Sequence, residues 1–396
     1  MKTLYINTQI WQDGDVAVFE PGELLCEDGI IIARALPGEL TRNGVEVVDL
    51  DGALVAPGLI DVHTHGRAGG DFASADTETL IRMSHSYLAS GTTTVMPTLA
   101  SAPLEDFATA AHRIAAVAAQ NEGARLIGLH LEGRYLNPEK RGAHAAALLA
   151  PLDASELSAL HERMCRPYKD RDMDIPLRLS AALELDESGE FAAAANRLGI
   201  RLSLGHTTAD YAAALRAIER GANSFTHLFN AMPPLHHRGG GAVAACFDAA
   251  AQGRDVMGEL ICDGLHIAPE MIRLAYRLLG RDHTLLITDS MAGTGCPDGE
   301  YALAGERVLL KNGRAVTESG ALAGSTLSLW RGVCNLSDMC DIPLAEAIRC
   351  ATRNPARLIG LDGKLGTLTV GAYADMILIE PTARTLSGVV CRGVRI

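Results

Sequence analysis

Two histidines stand two residues apart near the start of the chain, directly after a short apolar run. The run covers residues 59–62, follows Pro57 and Gly58, and leads into His63 and His65. Its composition predicts a β-strand, and alternate residues of a strand face the same side. Two imidazoles on one side of a strand end can contribute half of a site for a first-row metal ion. A chance pair of loop histidines explains this stretch equally well, so other residues must decide.

Further chemically capable side chains stand at the ends of other predicted strands. Each one taken alone is better explained as structural than as a ligand. They nevertheless share one position in separate strands, and this favours a common functional site. They are Glu132 at the end of the third predicted strand, His206 at the end of the fifth, His227 at the end of the sixth, His266 close to the end of the seventh and Asp289 at the end of the eighth.

The residue types indicate metal-assisted hydrolysis. Neutral imidazoles together with a carboxylate form a site for Zn²⁺ or Fe²⁺ that leaves a position for water. Such a metal lowers the pKa of its bound water from about 15.7 to near 7. A carboxylate such as Asp289 could then act as general base and return the proton to a leaving group. The sequence contains no nucleophile elbow, no Walker loop and no dinucleotide fingerprint after a strand.

Strand-like and helix-like segments alternate from residue 59 onward. The predicted strands are 59–65, 92–98, 125–132, 177–184, 201–206, 223–229, 259–266 and 285–289, and the predicted helices between them are 77–89, 104–121, 186–198, 210–220 and 269–279. This pattern predicts an α/β fold, a (β/α)8 TIM-type barrel. Segments 133–175 and 290–322 are expected to be loops over one face. A last helical region is predicted at 325–338 and 344–352.

Both chain ends have β character. Residues 1 to about 55 consist of short apolar runs between turn signals, and similar runs return at 366–369, 374–379 and 389–392. Neither end is long enough to enclose a core by itself. The sequence therefore predicts a small β-sandwich domain built from residues 1–55 and 355–396, beside a catalytic barrel of residues 56–354.

Composition limits the classes of partner. The 396 residues carry a net charge of -13 and are 48% hydrophobic, which predicts a globular protein and argues against nucleic acid or an anionic membrane surface as partner. The N-terminus lacks the features of a signal peptide, and no apolar run approaches the roughly 20 residues of a membrane span. The nine cysteines are scattered without a C-x-x-C pair. We therefore expect reduced thiols and a cytoplasmic location.

Several short stretches together resemble a known family. APGLIDVHTHG at 56–66 resembles the first-strand motif of the amidohydrolase superfamily. More specific stretches follow in order, and over nearly the whole chain the set resembles the N-acetylglucosamine-6-phosphate deacetylase family. These are HLEG at 130–133, KRGAH at 140–144, GHT at 205–207, THLFNAM at 226–232, DGLH at 263–266, TDSM at 288–291, LAGST at 322–326 and NPA at 354–356. THLFNAM and KRGAH are highly specific.

The resemblance implies a metal site formed by Glu132, His206 and His227. His63 and His65 match a pair that holds a second metal in the members that have it, with Glu132 bridging the two ions. Other members replace the pair and work with one ion. The expected cofactor is therefore a divalent metal, Zn or Fe, with one or two ions per chain. No lysine lies in a predicted barrel strand, which argues against the branches that bridge two metals with a carbamylated lysine.

The resemblance also implies the reaction. Asp289 matches the catalytic acid/base, and His144 matches a residue that reaches the substrate and helps to polarise the acetyl carbonyl. The implied enzyme removes the acetyl group from N-acetylglucosamine 6-phosphate and releases glucosamine 6-phosphate and acetate.

The substrate contacts are implied in the same way. Asn230, the backbone of Ala231 and His266 match groups that bind the sugar phosphate. Arg238 matches an arginine that reaches the phosphate of the neighbouring subunit in family dimers, so a homodimer is expected. A guanidinium fork suits a dianionic phosphate and would help an acidic protein to hold an acidic substrate.

Arg134 departs from the family pattern, which usually has proline after Glu-Gly. A cation this close to Glu132 could contact the substrate, which would put the sugar epimer and the phosphate requirement in doubt, or it could pack over a loop. One alternative is therefore a deacetylase of N-acetylgalactosamine 6-phosphate or another N-acylated amine. A second alternative is a barrel that has lost catalysis and serves in binding or assembly, although the retained ligand set argues against it.

Overall fold

Strands from both chain ends form one sheet in the computed structural model, which describes residues 2–173 and 175–396. The two ends meet where β20 (Met376–Ile379) pairs antiparallel with β5 (Leu54–Pro57). Strands β4 (Glu46–Asp49) and β5 both run parallel to the long strand β1 (Lys2–Gln12). Segment 366–369, predicted as a strand, lies outside the strands. The members of the sheet are β1 (Lys2–Gln12), β2 (Val18–Glu27), β3 (Ile30–Ala35), β4 (Glu46–Asp49), β5 (Leu54–Pro57), β20 (Met376–Ile379), β21 (Leu386–Cys391) and β22 (Val394–Arg395).

A second sheet is parallel throughout and forms the predicted barrel. Its strands are β6 (Leu59–Thr64), β9 (Thr92–Ala100), β10 (Arg125–Leu126), β11 (Leu129–Glu132), β12 (Leu177–Ala181), β13 (Arg201–Leu204), β14 (Ala222–Phe225), β15 (Met257–Ile261) and β16 (Thr284–Ile287). Strands β10 and β11 share one place, so the barrel has eight positions. The backbone N–H of Asp289 donates to the carbonyl of His63 at 2.9 Å and brings the eighth position back to the first. The predicted fold class, a (β/α)8 barrel with a small β-sandwich domain built from both termini, is confirmed, and the terminal strands form a single eight-stranded sheet.

Gly58 is the single residue between the last N-terminal strand of the first sheet and the first strand of the barrel. Strand β5 ends at Pro57 and β6 begins at Leu59. A Cβ atom at Gly58 would lie only 2.0 Å from Oγ1 of Thr93, so a side chain does not fit there. The division of the chain into domains at residues 55 and 355 stays a prediction.

Ten α-helices lie in the described residues; most follow the predicted pattern, but the third, the sixth and the tenth were missed. They are α1 (Thr77–Ala89), α2 (Leu104–Ala118), α3 (Ala154–Lys169), α4 (Glu190–Arg197), α5 (Tyr211–Glu219), α6 (Gly241–Ala251), α7 (Pro269–His283), α8 (Leu329–Cys340), α9 (Leu344–Arg349) and α10 (Arg353–Ile359), with 3-10 turns at Pro138–Lys140, Ala146–Leu148 and Leu183–Leu185. Helix α1 begins where Asp76 accepts a hydrogen bond from the backbone of Thr79. Helix α6 is buried on nearly every side, so its sequence lacks the polar face that marks a surface helix.

The two segments predicted as loops contain regular structure, and the prediction is wrong for these parts. Segment 133–175 contains α3, which begins at the N-cap Asp153. Segment 290–322 contains an antiparallel sheet of β17 (Gly299–Leu303), β18 (Glu306–Lys311) and β19 (Arg314–Thr317), which we call the flap sheet. Its buried side chains pack in a small cluster with Met291 and Ala143. A further pair, β7 (Gly66–Arg67) and β8 (Gly70–Asp71), follows the first barrel strand.

The barrel interior is polar directly beneath one end. His130 is fully buried, with Nδ1 3.1 Å from Oγ1 of Thr98 and Nε2 2.8 Å from Oγ of Ser180. Ser180 in turn contacts Thr226 at 2.6 Å. The hydroxyl groups satisfy both ring nitrogens, so His130 fills the barrel and is not left free to bind a ligand. Across the described residues, no helix is both long and apolar enough to cross a membrane.

Candidate active site

A cavity of about 360 Å³ opens at the end of the barrel where the strands finish. Its size is in the range of sites for small organic ligands. Most of the predicted site residues line it, together with Leu303 and Ala304 of the flap sheet region. The predicted residues in its wall are His65, Glu132, His144, His206, His227, Asn230, Ala231, His266 and Asp289.

Glu132 lies at the centre of the histidine cluster. It is the last residue of β11 and is 2% exposed. Its Oε1 lies 3.0 Å from Nε2 of His227, 3.3 Å from Nε2 of His206 and 3.4 Å from Nε2 of His63. The two histidines from neighbouring strands also face each other, with 3.0 Å between their Nε2 atoms. The structure therefore brings Glu132, His206 and His227 together as predicted.

The second oxygen of Glu132 faces the other histidine of the opening pair. Its Oε2 lies 2.9 Å from Nε2 of His65 and 3.6 Å from Nε2 of His144. Oδ1 of Asp289 lies 3.2 Å from Nε2 of His65 and 3.5 Å from that of His63. The carboxylates of Glu132 and Asp289 thus both approach the His63–His65 pair.

Three of the residues predicted as metal ligands or catalytic groups have a backbone conformation that side chains other than glycine rarely adopt. The φ angles of His206, His227 and Asp289 are +47°, +30° and +50°. Each residue follows the end of a barrel strand by one or two positions. Such conformations cost about 1–3 kcal/mol each and persist where the surrounding structure fixes them. Here they turn the side chains inward over the barrel mouth.

The donor set fits a metal cation. Nδ1 of His63 donates to Oε2 of Glu259 at 2.9 Å, and Nδ1 of His206 donates to the carbonyl of Lys140 at 2.8 Å. In a neutral ring the other nitrogen then carries a lone pair, and both Nε2 atoms face Oε1 of Glu132. Nε2 of His63 is buried without a hydrogen-bond partner in the part of the chain that the structure describes. The imidazole lone pairs that face the carboxylate of Glu132 need a positive charge between them and the carboxylate. Histidines ordered by hydrogen bonds from their other ring nitrogen are also typical of metal sites.

The charges around the site favour a cation as well. Burial lowers the pKa of His63, but the negative charges of Glu132 and Glu259 outweigh it and raise the pKa well above its usual value. Burial likewise opposes the effect of Asp289 and Glu132 on His65, whose pKa is raised to about 9. Burial also raises the pKa of Glu132, yet the neighbouring histidines hold it well below its usual value. A divalent ion would replace the protons that these nitrogens otherwise attract.

Two buried charges that the sequence analysis did not single out support this cluster. Glu259 of β15 and Arg178 of β12 form an ion pair, and both are fully buried. Although burial raises the pKa of Glu259, the positive charge of Arg178 lowers it to about 2. Arg178 also donates to Oγ of Ser203 and of Ser224 at 3.0 Å. The sequence signal that could have identified Arg178 and Glu259 is a charged residue within a predicted apolar strand, because charged residues are rarely buried without a partner.

The predicted substrate residues line the cavity on the side of the 226–232 and 263–266 motifs. Nδ1 of His266 lies 2.7 Å from Oδ2 of Asp263. The other carboxylate oxygen, Oδ1, accepts a hydrogen bond from the backbone N–H of His266 at 2.9 Å. Asn230 is held by hydrogen bonds to the carbonyls of His227 and Leu228. The backbone N–H of Ala231 has no acceptor among the described residues, so it is available to a ligand. Glu139 and Lys140, not predicted as site residues, also line the cavity.

Two predicted substrate residues are not brought to this cavity. The guanidinium of Arg134 forms hydrogen bonds to Glu156 of α3 at 2.9 and 3.3 Å, and the hydroxyl of Tyr135 donates to the same carboxylate. In this structure Arg134 therefore pairs with α3, and its role toward a substrate stays a prediction. Arg238 lies on an exposed loop outside the cavity of its own chain.

Comparisons with known proteins agree with this site. The model of the amidohydrolase family matches residues 54–395. An N-acetylglucosamine-6-phosphate deacetylase of Vibrio furnissii is 34% identical over 380 residues, which cover 93% of this chain and 88% of that protein. An N-acetylgalactosamine-6-phosphate deacetylase of Escherichia coli O157:H7 is 33% identical over 362 residues, covering 90% of each chain.

Solved structures give the same answer over the full length. The crystal structure of N-acetylglucosamine-6-phosphate deacetylase from Pasteurella multocida has a TM-score of 0.89 and 29% identity, and the match covers 100% of both chains. A mutant of the Mycobacterium smegmatis enzyme in complex with N-acetyl-D-glucosamine-6-phosphate has a TM-score of 0.87 and 28% identity, covering 100% of this chain and 98% of that one. Motifs, site geometry and family match agree, and the chain belongs to the amidohydrolase family.

Proposed function

We propose that this protein hydrolyses the acetamide group of N-acetylglucosamine 6-phosphate and releases glucosamine 6-phosphate and acetate. The observation that carries the proposal is the convergence of Glu132, His206, His227 and Asp289 in one cavity of a chain whose full-length relatives are N-acetylhexosamine-6-phosphate deacetylases. The same cavity contains the residues that the family motifs assign to the sugar phosphate.

The cofactor of the proposal is a divalent metal, Zn or Fe. Glu132, His206 and His227 would hold one ion, and His63 and His65 would hold a second together with Glu132. Bound there, the metal supplies the Lewis acidity that makes water a nucleophile at neutral pH. The close spacing of the carboxylate and imidazole atoms supports this assignment.

Asp289 is the proposed general base and acid. Burial raises its pKa, but the hydrogen bond from His65 and the charge of His63 outweigh burial and lower it, so the carboxylate is ionised and ready to accept a proton. Asp289 would take the proton of the attacking water and deliver it to the amine that leaves. His144, whose Nε2 lies 3.6 Å from Oε2 of Glu132, would donate a hydrogen bond to the carbonyl oxygen as negative charge develops there.

The sugar phosphate would be held by Asn230, the backbone N–H of Ala231 and His266. Arg238 is proposed to reach the phosphate in the site of a second copy, so the active unit would be a homodimer. Its exposure and its absence from the lining of the cavity in its own chain support an action across an interface. The charge and cysteine content support the cytoplasm as the proposed location.

The experiment is a deacetylation screen that measures acetate released from metal-loaded enzyme. N-acetylglucosamine 6-phosphate, N-acetylgalactosamine 6-phosphate, both sugars without phosphate and a simple N-acylated amine are compared by kcat/KM, with Asp289→Asn as the blank. The highest kcat/KM is expected for N-acetylglucosamine 6-phosphate. A preference for the galactosamine epimer would instead support the second candidate function, deacetylation of N-acetylgalactosamine 6-phosphate. The Escherichia coli relative, which has this name, is the reason for testing that epimer. Turnover of none of these compounds above the blank would contradict the proposal.

A further inference from the structure

Ser101 contacts His144 from the side that faces away from the cavity. It follows directly after β9 and is 3% exposed. Its Oγ lies 2.9 Å from Nδ1 of His144, and its backbone nitrogen lies 3.4 Å from the same atom. Neither the family motifs nor the comparisons give Ser101 a role. It is the residue that orders the ring of His144.

The direction of each hydrogen bond around Ser101 is fixed. A backbone N–H can only donate, so Nδ1 of His144 is an acceptor. The backbone N–H of Arg134 donates to Oγ of Ser101 at 2.9 Å, which leaves the proton of the serine hydroxyl free to point at Nδ1. A neutral imidazole whose Nδ1 accepts carries its proton on Nε2.

The proton on Nε2 points toward the reacting region. Nε2 of His144 lies 3.6 Å from Oε2 of Glu132, and the ring lines the cavity. In this tautomer the ring offers a hydrogen-bond donor to a ligand atom beside Glu132. The opposite tautomer would offer a lone pair, which would repel a carbonyl oxygen that gains negative charge.

The chain after Glu132 is shaped around Ser101. A Cβ atom at Gly133 would lie 2.1 Å from Oγ and 2.7 Å from the backbone nitrogen of Ser101, so only glycine fits. The φ angles are +133° at Gly133 and +59° at Arg134, and this turn aims the N–H of Arg134 at the serine. The conformation is unfavourable for arginine, and the hydrogen bond to Ser101 offsets part of its cost.

We propose that Ser101 is a positioning residue for the hydrolysis, holding His144 in the tautomer whose Nε2–H donates to the carbonyl oxygen of the bound acyl group. This inference rests on the proposed function, because it assigns the donor a role toward an N-acyl substrate. It extends that function by a residue that acts through His144 without touching the substrate.

The first test does not depend on turnover. Holoenzyme labelled with 15N-histidine is studied by NMR without substrate, and the ring signals of His144 are identified by their loss in His144→Gln. A protonated Nε2 and a non-protonated Nδ1 are expected. A protonated Nδ1 in the wild-type protein would overturn the inference. Because no substrate is present, this result stands whether or not the proposed deacetylation is found.

The second test is a double-mutant cycle with the best substrate from the deacetylation screen. Ser101→Ala is expected to lower kcat about tenfold with little change in KM, which is the size of effect expected from one lost hydrogen bond. His144→Gln should lower kcat by about 10²–10³, as for loss of one oxyanion donor. In the His144→Gln background, Ser101→Ala should then change kcat less than about twofold, because its effect acts through the missing ring.

A matched control separates positioning from general destabilisation. Ser84 is another buried serine, which lies in α1, donates its hydroxyl to the carbonyl of Ile81 at 2.7 Å and does not line the cavity. Ser84→Ala should leave kcat unchanged, and thermal melting shows that each variant is folded. A tenfold loss from Ser101→Ala that persists in the His144→Gln background, or an equal loss of kcat in Ser84→Ala, would overturn the inference.

Discussion

Oε2 of Glu259 accepts hydrogen bonds from two residues of the site, the ring Nδ1 of His63 at 2.9 Å and the backbone N–H of His227 at 2.8 Å. One carboxylate oxygen thus orders a histidine of the opening pair and the backbone of a histidine from the other proposed ligand set. Its charge is balanced by Arg178, and no solvent reaches either group. The carboxylate of Glu259 therefore helps to position both proposed sets of histidine ligands.

Glu259→Gln should weaken metal binding. The side chain keeps its size, but the charge that raises the basicity of His63 and balances Arg178 is lost. Removal of such an outer partner typically lowers metal affinity 10–100-fold. The buried Arg178 also loses its counter-ion, so the free energy of unfolding should fall by about 3–5 kcal/mol. Chelator competition measures the affinity, and denaturant unfolding measures the stability.

Asp375→Asn is the matched control for this variant. Asp375 pairs with Arg125 at 2.6 Å and is also buried, but the pair is remote from the cavity. Its loss should reduce stability and leave metal affinity unchanged. Equal metal affinity in Glu259→Gln and the wild-type protein would show that Glu259 serves the fold alone.

Replacement of both His63 and His65 by asparagine should remove one equivalent of metal per chain. Glu132, His206 and His227 remain and should keep the other ion. Metal content is measured by elemental analysis after loading and desalting, with His283→Asn as the control, because Nδ1 of His283 contacts the carbonyl of Val256 and His283 does not line the cavity. Unchanged metal content in the double variant would mean that the pair is not a ligand set.

Asp289→Asn should lower kcat by about 10²–10⁴, the usual contribution of a general acid–base group. The amide cannot accept the proton of water, although it can still occupy the position beside His65. Metal content is measured on the same sample and is expected to be unchanged. Turnover close to wild type would contradict the role of Asp289, and loss of metal would show that its carboxylate acts as a ligand.

The sequence could predict the barrel because its strands and most of its helices alternate with clear periodicity. Helix α6 was missed since its surroundings bury nearly all of it, which removes the polar positions that reveal a helix. Helix α3 and the flap sheet were missed for another reason. Both lie in insertions, where the alternation of the barrel gives no guide to what the chain does between strands.

The candidate site was predictable as far as its residues stand at strand ends. Glu132, His206 and His227 meet because parallel strands of a barrel all finish at one rim. Partnerships between separate elements were not predictable: nothing in the spacing of Arg134 and Glu156 shows that the guanidinium pairs with a carboxylate of α3. The direction of a side chain at positive φ depends on its tertiary neighbours, which a single sequence does not show.

Arg134→Ala should affect stability and leave substrate choice unchanged. The Arg134–Glu156 pair joins the chain after β11 to α3, and its side chains are 16% and 25% exposed. A partly exposed pair of this kind contributes about 1 kcal/mol to the free energy of unfolding. The ratio of kcat/KM for the two sugar epimers should equal that of the wild-type protein. A changed ratio, or a raised KM only for phosphorylated substrates, would show that Arg134 contributes to substrate binding.

Activity of a mixed dimer should reveal whether Arg238 acts across an interface. Arg238→Ala alone should raise KM for the 6-phosphate, because a dianion loses its guanidinium partner. When Arg238→Ala and Asp289→Asn chains are combined in one dimer, one site has an intact Asp289 from one chain and an intact Arg238 from the other. About half of the wild-type activity per mixed dimer is therefore expected, measured on heterodimers purified through two different tags. If each arginine served its own chain, no site would be complete and the activity of the mixed dimer would stay at the level of the Arg238→Ala chains.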